Sequence, residues 1–136
     1  MAKVHPDAIM NTALPSSFRR IRLELARETG HPEGESDIAY ILVAPLNDDG
    51  HIDVAVWKNH REACRVARLR PHRDNELGHL VHRSGGSWAF HYDISGSTPE
   101  EVGHHFDSQR FAAGEYVSIN EEGRIHTFRV VSVQRL

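Results

Sequence analysis

Hydrophobic and polar residues alternate with a period of two over residues 18–28 (FRRIRLELARE). Ile21, Leu23 and Leu25 fall on one side and Arg20, Arg22 and Glu24 on the other, which predicts a strand with one wet face. Residues 29–36 hold Gly30, Pro32 and Gly34 and predict a loop. Residues 37–45 (DIAYILVAP) are apolar at both parities, the pattern of a strand covered on both sides. Asn47-Asp48-Asp49-Gly50 predicts a turn, and Asp53 fits the N-cap of a helix. Val56, Trp57, His60, Ala63, Cys64 and Ala67 then share one helical face, with Lys58, Arg61, Arg65 and Arg68 on another. Residues 64–70 suit either a continuing helix or a strand ahead of Pro71; we take a helix over 53–63 and a strand over 64–70.

Two apolar runs, LGHLVHR and WAFHYDI, flank Ser84-Gly85-Gly86-Ser87 and predict a hairpin over residues 77–94. A turn centred on Gly85-Gly86 sets Arg83 opposite Trp88, Val81 opposite Phe90 and His79 opposite Tyr92, with Trp88, Phe90, Tyr92 and Ile94 facing the core. Ser97-Thr98-Pro99-Glu100-Glu101 has the composition of a helix start that Gly103 stops within a turn. Residues 116–120 and 124–133 predict a closing hairpin around Glu121-Glu122-Gly123. The strands come in runs rather than alternating with helices. The expected fold is therefore α+β and mainly antiparallel β: a small, strongly bent or barrel-like sheet of seven to eight strands with one helix near 53–63. Residues 1–16 carry no sustained period and read as a mobile N-terminal arm, leaving residues 17–136 as a single globular domain.

The 136 residues are 39% hydrophobic and 26% charged, which supplies one core and excludes a disordered chain. The longest apolar run, Ala39–Leu46, is too short to span a bilayer, and the N-terminus lacks the apolar stretch of a signal peptide, so the expected location is cytoplasmic, with no membrane partner. Cys64 is the one cysteine, which excludes an internal disulfide and a cysteine-rich zinc site. The net charge of −3 disfavours nucleic acid as a partner and leaves a protein or a small-molecule ligand. Eleven histidines make the chain histidine-rich, which raises the question of metal or proton handling.

The segments PSSFRRIRLELARETGHPEG, APLNDDGHID, HREACRV, GHLVHRSGGSWAFHYD, GEYVSI and HTFRVVSV together resemble a small bacterial family of hypothetical proteins. The resemblance runs over roughly residues 15–136. It implies a single soluble cytoplasmic domain, and no assigned activity or catalytic residue comes with it. Residues 90–94 (FHYDI) are also similar to the second RNA-binding strand of cold-shock domains, whose glycine-aromatic first strand is missing here.

Three functional readings follow. The first, preferred over an enzyme, is a non-catalytic binding or interaction domain whose ligand face is the polar side of the 77–94 hairpin with the loop around His104. The second is a metal-dependent enzyme: in the register above, His82, His91 and Asp93 share the outward face, two imidazoles and a carboxylate suit zinc or iron(II), and His104 offers a further ligand. A slip of one residue would separate His82 from His91, and a polar hairpin face is commonly just wet. The third is an anion or RNA binder on the basic stretch 58–73, with Arg61, Arg65, Arg68 and Arg70 as ligand-binding residues, against the ordinary alternative that these arginines pair with acids elsewhere in the chain. Cys64 on the apolar helical face reads as a small core residue, Glu100-Glu101 as helix-start acids and Glu121-Glu122 as turn residues.

Overall fold

A computed structural model describes residues 14–93 and 100–136. Eight strands follow one another: β1 (Phe18–Leu25), β2 (Glu35–Pro45), β3 (Arg65–Leu69), β4 (Glu76–His82), β5 (Trp88–Tyr92), β6 (Glu101–His104), β7 (Tyr116–Glu121) and β8 (Arg124–Arg135). Each is antiparallel to the next, and β8 returns to β1, so the sheet closes into a barrel. Among the described residues the helical share is one short helix, α1 (Val54–Asn59), and a 3₁₀ turn at Arg61–Ala63. The mainly antiparallel architecture predicted from the period of two is present; closure is the property that no local pattern carries.

Inward positions are the apolar set of each strand. Ile21, Leu23 and Leu25 of β1 meet Tyr40 and Leu42 of β2, Phe90 of β5, Ile119 of β7, and Phe128 and Val130 of β8 in one buried core. The double apolar parity of β2 resolves into Tyr40, Leu42 and Ala44 buried and Ile41 and Val43 half-buried on the outer side. Leu23 pairs with Val130 while Arg22 pairs with Ser132, so Val131 is the extra residue of a β-bulge. The bulge explains an irregular run in the sequence: Phe128 and Val130 enter the core on one parity and Val133 on the other.

One end of the barrel is sealed. Asp53 caps α1 by accepting from Val56 N at 3.2 Å, and the helix plugs that end through Trp57, whose Nε1 donates to Leu80 O at 3.0 Å. The segment after β6 adds Phe106 and Phe111, 5.1 Å apart between ring centroids, with Phe111 N donating to Gly50 O at 2.8 Å. The helix is shorter than the predicted 53–63, because the backbone at His60 (φ −140°, ψ 38°) leaves the helical region and redirects the chain into β3. The strand predicted over 64–70 is present as β3.

Two expectations need correction. Ser97, Thr98 and Pro99 lie outside the described residues, but Glu101–His104 forms β6 rather than continuing a helix. Pairing on both flanks, Val102 opposite Ala89 and Asn120, outweighs the local helix-start composition. Gly103 is what admits this strand: a Cβ there would stand 2.4 Å from the Phe106 ring. Second, the 77–94 hairpin is one residue out of the predicted register. His82, not Arg83, pairs with Trp88, and Leu80 pairs with Phe90. The loop Arg83–Ser87 holds one residue more than the predicted turn, closed by Arg83 N to Ser87 O at 2.8 Å, with Gly85 and Gly86 at φ 95° and 92°. The slip turns over β4 alone. Trp88, Phe90 and Tyr92 are buried and His91 exposed as expected, but Leu80 faces inward in place of Val81. Ile94 is outside the described residues. Most of the predicted arm, residues 1–13, is likewise outside them; Leu14 packs against the core.

Candidate functional site

The register slip places the predicted metal ligands His82 and His91 at positions of opposite parity. His82 lies on the inner face near the sealed end, its ring 4.4 Å from that of Trp88 and 5.8 Å from that of Trp57, while His91 and Asp93 are on the outer face. His104 is exposed, with its ring 4.1 Å from that of His105. Among the described residues no three His, Cys, Asp or Glu side chains group to hold a metal. His79 takes the outward place expected of His82: its Nδ1 is 2.7 Å from Asp93 Oδ1, and Arg65 Nη2 is 3.2 Å from Asp93 Oδ2. His91 Nδ1 in turn meets Glu100 Oε2 at 2.7 Å. These are surface pairs of the kind that contribute about 0–1 kcal/mol, and their polar atoms already serve one another.

The basic stretch divides in the same way. Arg61 sits over the Trp57 ring at 4.8 Å and Arg65 lies outside, whereas Arg68 and Arg70 belong to a network at the opposite end of the barrel from α1. The strand period explains the split. Arg68 pairs with Tyr40 and Glu76 across its two neighbours and so shares their inward parity, while Arg65 pairs with outward His79.

Glu101 is the centre of that network and is 1% exposed. Its Oε1 accepts from Tyr40 Oη at 2.7 Å and also from Tyr92 Oη. Its Oε2 lies 2.8 Å from Arg68 Nη1, off the hydrogen-bond axis, so this oxygen is compensated by charge rather than by a directed bond. Tyr40 Oη also touches Glu121 Oε2. Arg68 reaches Glu76 Oε1 at 3.5 Å and Glu121 Oε1 at 3.7 Å, and Arg70 Nη2 donates to Glu76 Oε1 at 2.6 Å. His126 stands at the rim, Nδ1 3.0 Å from Glu28 Oε1 and Nε2 3.6 Å from Glu121 Oε1. A depression of about 290 Å³ opens over these groups, with Leu25, Ile38 and Pro71 as its apolar wall and Arg68, Arg70, Glu121 and His126 as its polar one.

Burial sets the electrostatics. It pushes the Glu101 carboxyl above its ordinary value, against the opposing pull of the two tyrosine hydrogen bonds and of Arg68. Burial first, and the Glu101 charge next, raise both Tyr40 and Tyr92, so both phenols are neutral. Burial works against the Arg68 charge too, but its electrostatic contacts with Tyr40, Glu101 and Glu121 outweigh it and its pKa is raised.

Four of these residues carried other readings in the sequence: Glu101 a helix-start acid, Glu121 a turn acid, Tyr92 a core aromatic, Tyr40 part of an apolar run. The signal that points to them is inward parity. A phenol or carboxylate at a core position needs a buried partner, and Tyr40, Tyr92 and Glu101 supply one another's. Cys64 fits its reading as a core residue. It is fully buried, Sγ 3.4 Å from His60 O, and burial pushes the thiol up to about 12. Iodoacetamide at pH 8 is expected to leave native Cys64 unmodified over hours and to alkylate it within minutes in urea, as mass spectrometry would read; rapid native labelling would contradict this burial.

Comparison with family models, curated proteins and solved structures returns no match. The functional reading therefore rests on the geometry alone.

Proposed function

We propose that this protein is a small-molecule-binding barrel whose ligand seats in the mouth above Arg68, Arg70, Glu121 and His126. The observation that carries the reading is the buried ionic network itself. A barrel of this size fills its interior with side chains, and at the sealed end this one does so with Trp57, Trp88, Phe106 and Phe111. At the other end it places Arg68, Glu76, Glu101, Glu121 and two phenols where apolar residues would pack at lower cost in desolvation. Buried, perturbed titratable groups beneath an accessible depression mark functional sites more often than structural ones. Arg70 adds a local sign: its Nε is buried without a hydrogen-bond partner among the described residues.

The ligand that fits is a small polar molecule with an apolar edge for Leu25, Ile38 and Pro71 and with oxygen or nitrogen atoms for Arg70 and Glu121. We prefer this mouth to the polar side of the 77–94 hairpin, where a second depression of about 380 Å³ lies against Trp57, His79, His82 and His91 without a buried ionic network beneath it. A soluble, cytoplasmic setting is part of the proposal. No helix of the described residues is long and apolar enough to cross a membrane. The outward strand positions also carry Arg20, Arg22, Arg65 and Arg129, where a membrane-spanning barrel presents an apolar band.

The test is a set of small carboxylic acids, amides, alcohols and amines titrated into ¹⁵N-labelled protein. Saturable shifts are expected at residues 25–38, 68–73 and 121–126, and Arg70→Ala is expected to weaken binding at least tenfold. Shifts confined to the sealed end or to the outer face of β4–β5, or no saturable shifts at all, would overturn the reading.

A further inference from the structure

Three oxygens stand in a row beneath the mouth: Glu101 Oε1, Tyr40 Oη and Glu121 Oε2. The phenol oxygen lies 2.7 Å from the first and in hydrogen-bond contact with the last. A hydroxyl has one hydrogen, so Tyr40 donates to one carboxyl only. Tyr92 directs its own hydrogen to Glu101 Oε1. Two phenolic hydrogens thus serve three oxygen–oxygen contacts. With both carboxyls ionised, the third contact would set a phenolic lone pair against a carboxylate oxygen at hydrogen-bond distance in a buried place, which is strongly unfavourable. A proton on one of the two carboxyls fills it.

We propose that Glu101, Tyr40 and Glu121 hold one carboxylic proton in common at neutral pH, and that this chain makes Glu121 a general acid and base toward a molecule bound in the mouth. The catalytic half of this inference rests on the mouth being a ligand site. The shared proton does not.

The chain has two forms. In one, Glu101 donates to Tyr40 Oη and Tyr40 donates to Glu121. In the other, Glu121 donates to Tyr40 and Tyr40 to Glu101. Two protons moving in concert interconvert them. From the form in which Glu101 is protonated, the Glu101 hydrogen passes to Tyr40 as the Tyr40 hydrogen passes to Glu121. Glu121 then gives that proton to a basic atom of the bound molecule: its O–H bond breaks and a new bond to hydrogen forms on that molecule. The bound molecule gains one proton, Tyr40 keeps one, both carboxyls are left as carboxylates, Glu101 beside the Tyr92 hydroxyl and the Arg68 guanidinium, and no electrons are transferred. Water recharges the chain at the rim through His126, which Glu28 orients at Nδ1 and whose Nε2 faces Glu121. The reaction class this serves is proton transfer without redox change, such as tautomerisation of a small carbonyl compound.

The surrounding charges set the number of protons at one. Arg68 on β3 faces both carboxyls, 2.8 Å from Glu101 and 3.7 Å from Glu121, and pulls Glu101 toward its ionised form. Glu76 on β4 opposes this, and is itself engaged by Arg68 and Arg70. Tyr92 on β5, His126 on β8 and Glu28 after β1 complete the groups facing the chain. Burial of Glu101 favours its protonated form against the pull of Arg68.

The test is ¹³C NMR of the glutamate carboxyl carbons in the full chain, with infrared spectroscopy of the carboxylic C=O band. At pH 7 one proton's worth of carboxylic acid is expected, as one shifted resonance or as two partly shifted ones, assigned to Glu101 and Glu121. In Glu121→Ala the Tyr40 hydrogen is free to serve Glu101, so the acid signal is expected to vanish while circular dichroism stays that of the folded protein. The inference is overturned if every glutamate carboxyl of the folded wild type is a full carboxylate at pH 7, or if the acid signal persists unchanged in Glu121→Ala. Should that variant fail to fold, the wild-type assignments decide alone. Absence of the acid signal in the wild type with fragment binding intact removes the relay and leaves the mouth; a wild-type acid signal without fragment binding does the reverse.

Discussion

Arg68→Met is expected to lower the unfolding free energy by about 3–5 kcal/mol at pH 8, the range found when one partner of a buried ion pair is removed. The methionine retains most of the aliphatic stem, so the loss is electrostatic. Glu76, Glu101 and Glu121 are left around a side chain that no longer compensates them. The pH dependence distinguishes this cause from a packing defect. The Glu101 carboxyl is raised in the folded state, so over the window between its unfolded and folded values the native protein holds a proton that the unfolded chain has released. Its contribution to stability is fully present below the ordinary carboxylate range and is lost as pH rises through the raised value. Removing the Arg68 charge raises that value further and steepens the loss. Urea titrations at pH 5 and pH 8, followed by tryptophan fluorescence, are expected to show a smaller deficit at pH 5. Equal deficits would mean that Arg68 acts through packing.

The other large effect is expected at the barrel's middle. Phe90 is fully buried, its ring 5.2 Å from that of Tyr40 and 5.9 Å from that of Phe106, so it touches both the polar network and the apolar plug. Phe90→Ala is expected to cost about 3–5 kcal/mol, transfer loss and cavity together. Phe90→Leu, which keeps most of the volume, should cost well under half of that. A loss below about 1 kcal/mol for the alanine variant in urea denaturation would be incompatible with Phe90 at the centre of the core.

The strands were legible where one parity is apolar. β1, the β5 face of Trp88, Phe90 and Tyr92, and the closing pair β7–β8 all follow from alternation. What escaped was set by relations between strands. The β4–β5 register turns on a single residue in the Arg83–Ser87 loop, and two adjacent glycines fit either length. That residue carried His82 to the inner parity, away from His91 and Asp93. β6 is hidden because Ser97-Thr98-Pro99-Glu100-Glu101 has the local chemistry of a helix start, while the pairing that makes a strand comes from β5 and β7. The site was half visible for the same reason. Arg68 and Arg70 stood out as charge, but Tyr40, Glu101 and Glu121 come from β2, β6 and β7, and only closure brings them to one end.

Closure has a further consequence. A sheet with a free border offers its unsatisfied amides to any passing extended chain, the first step of many aggregates. Here the return of β8 to β1 leaves no such border. The ring is thinnest at β6, which holds its neighbours through three residue pairs on each side. Transient parting of the ring would begin at this stave, and since β6 carries Glu101, the same parting would wet the deepest acid among the described residues.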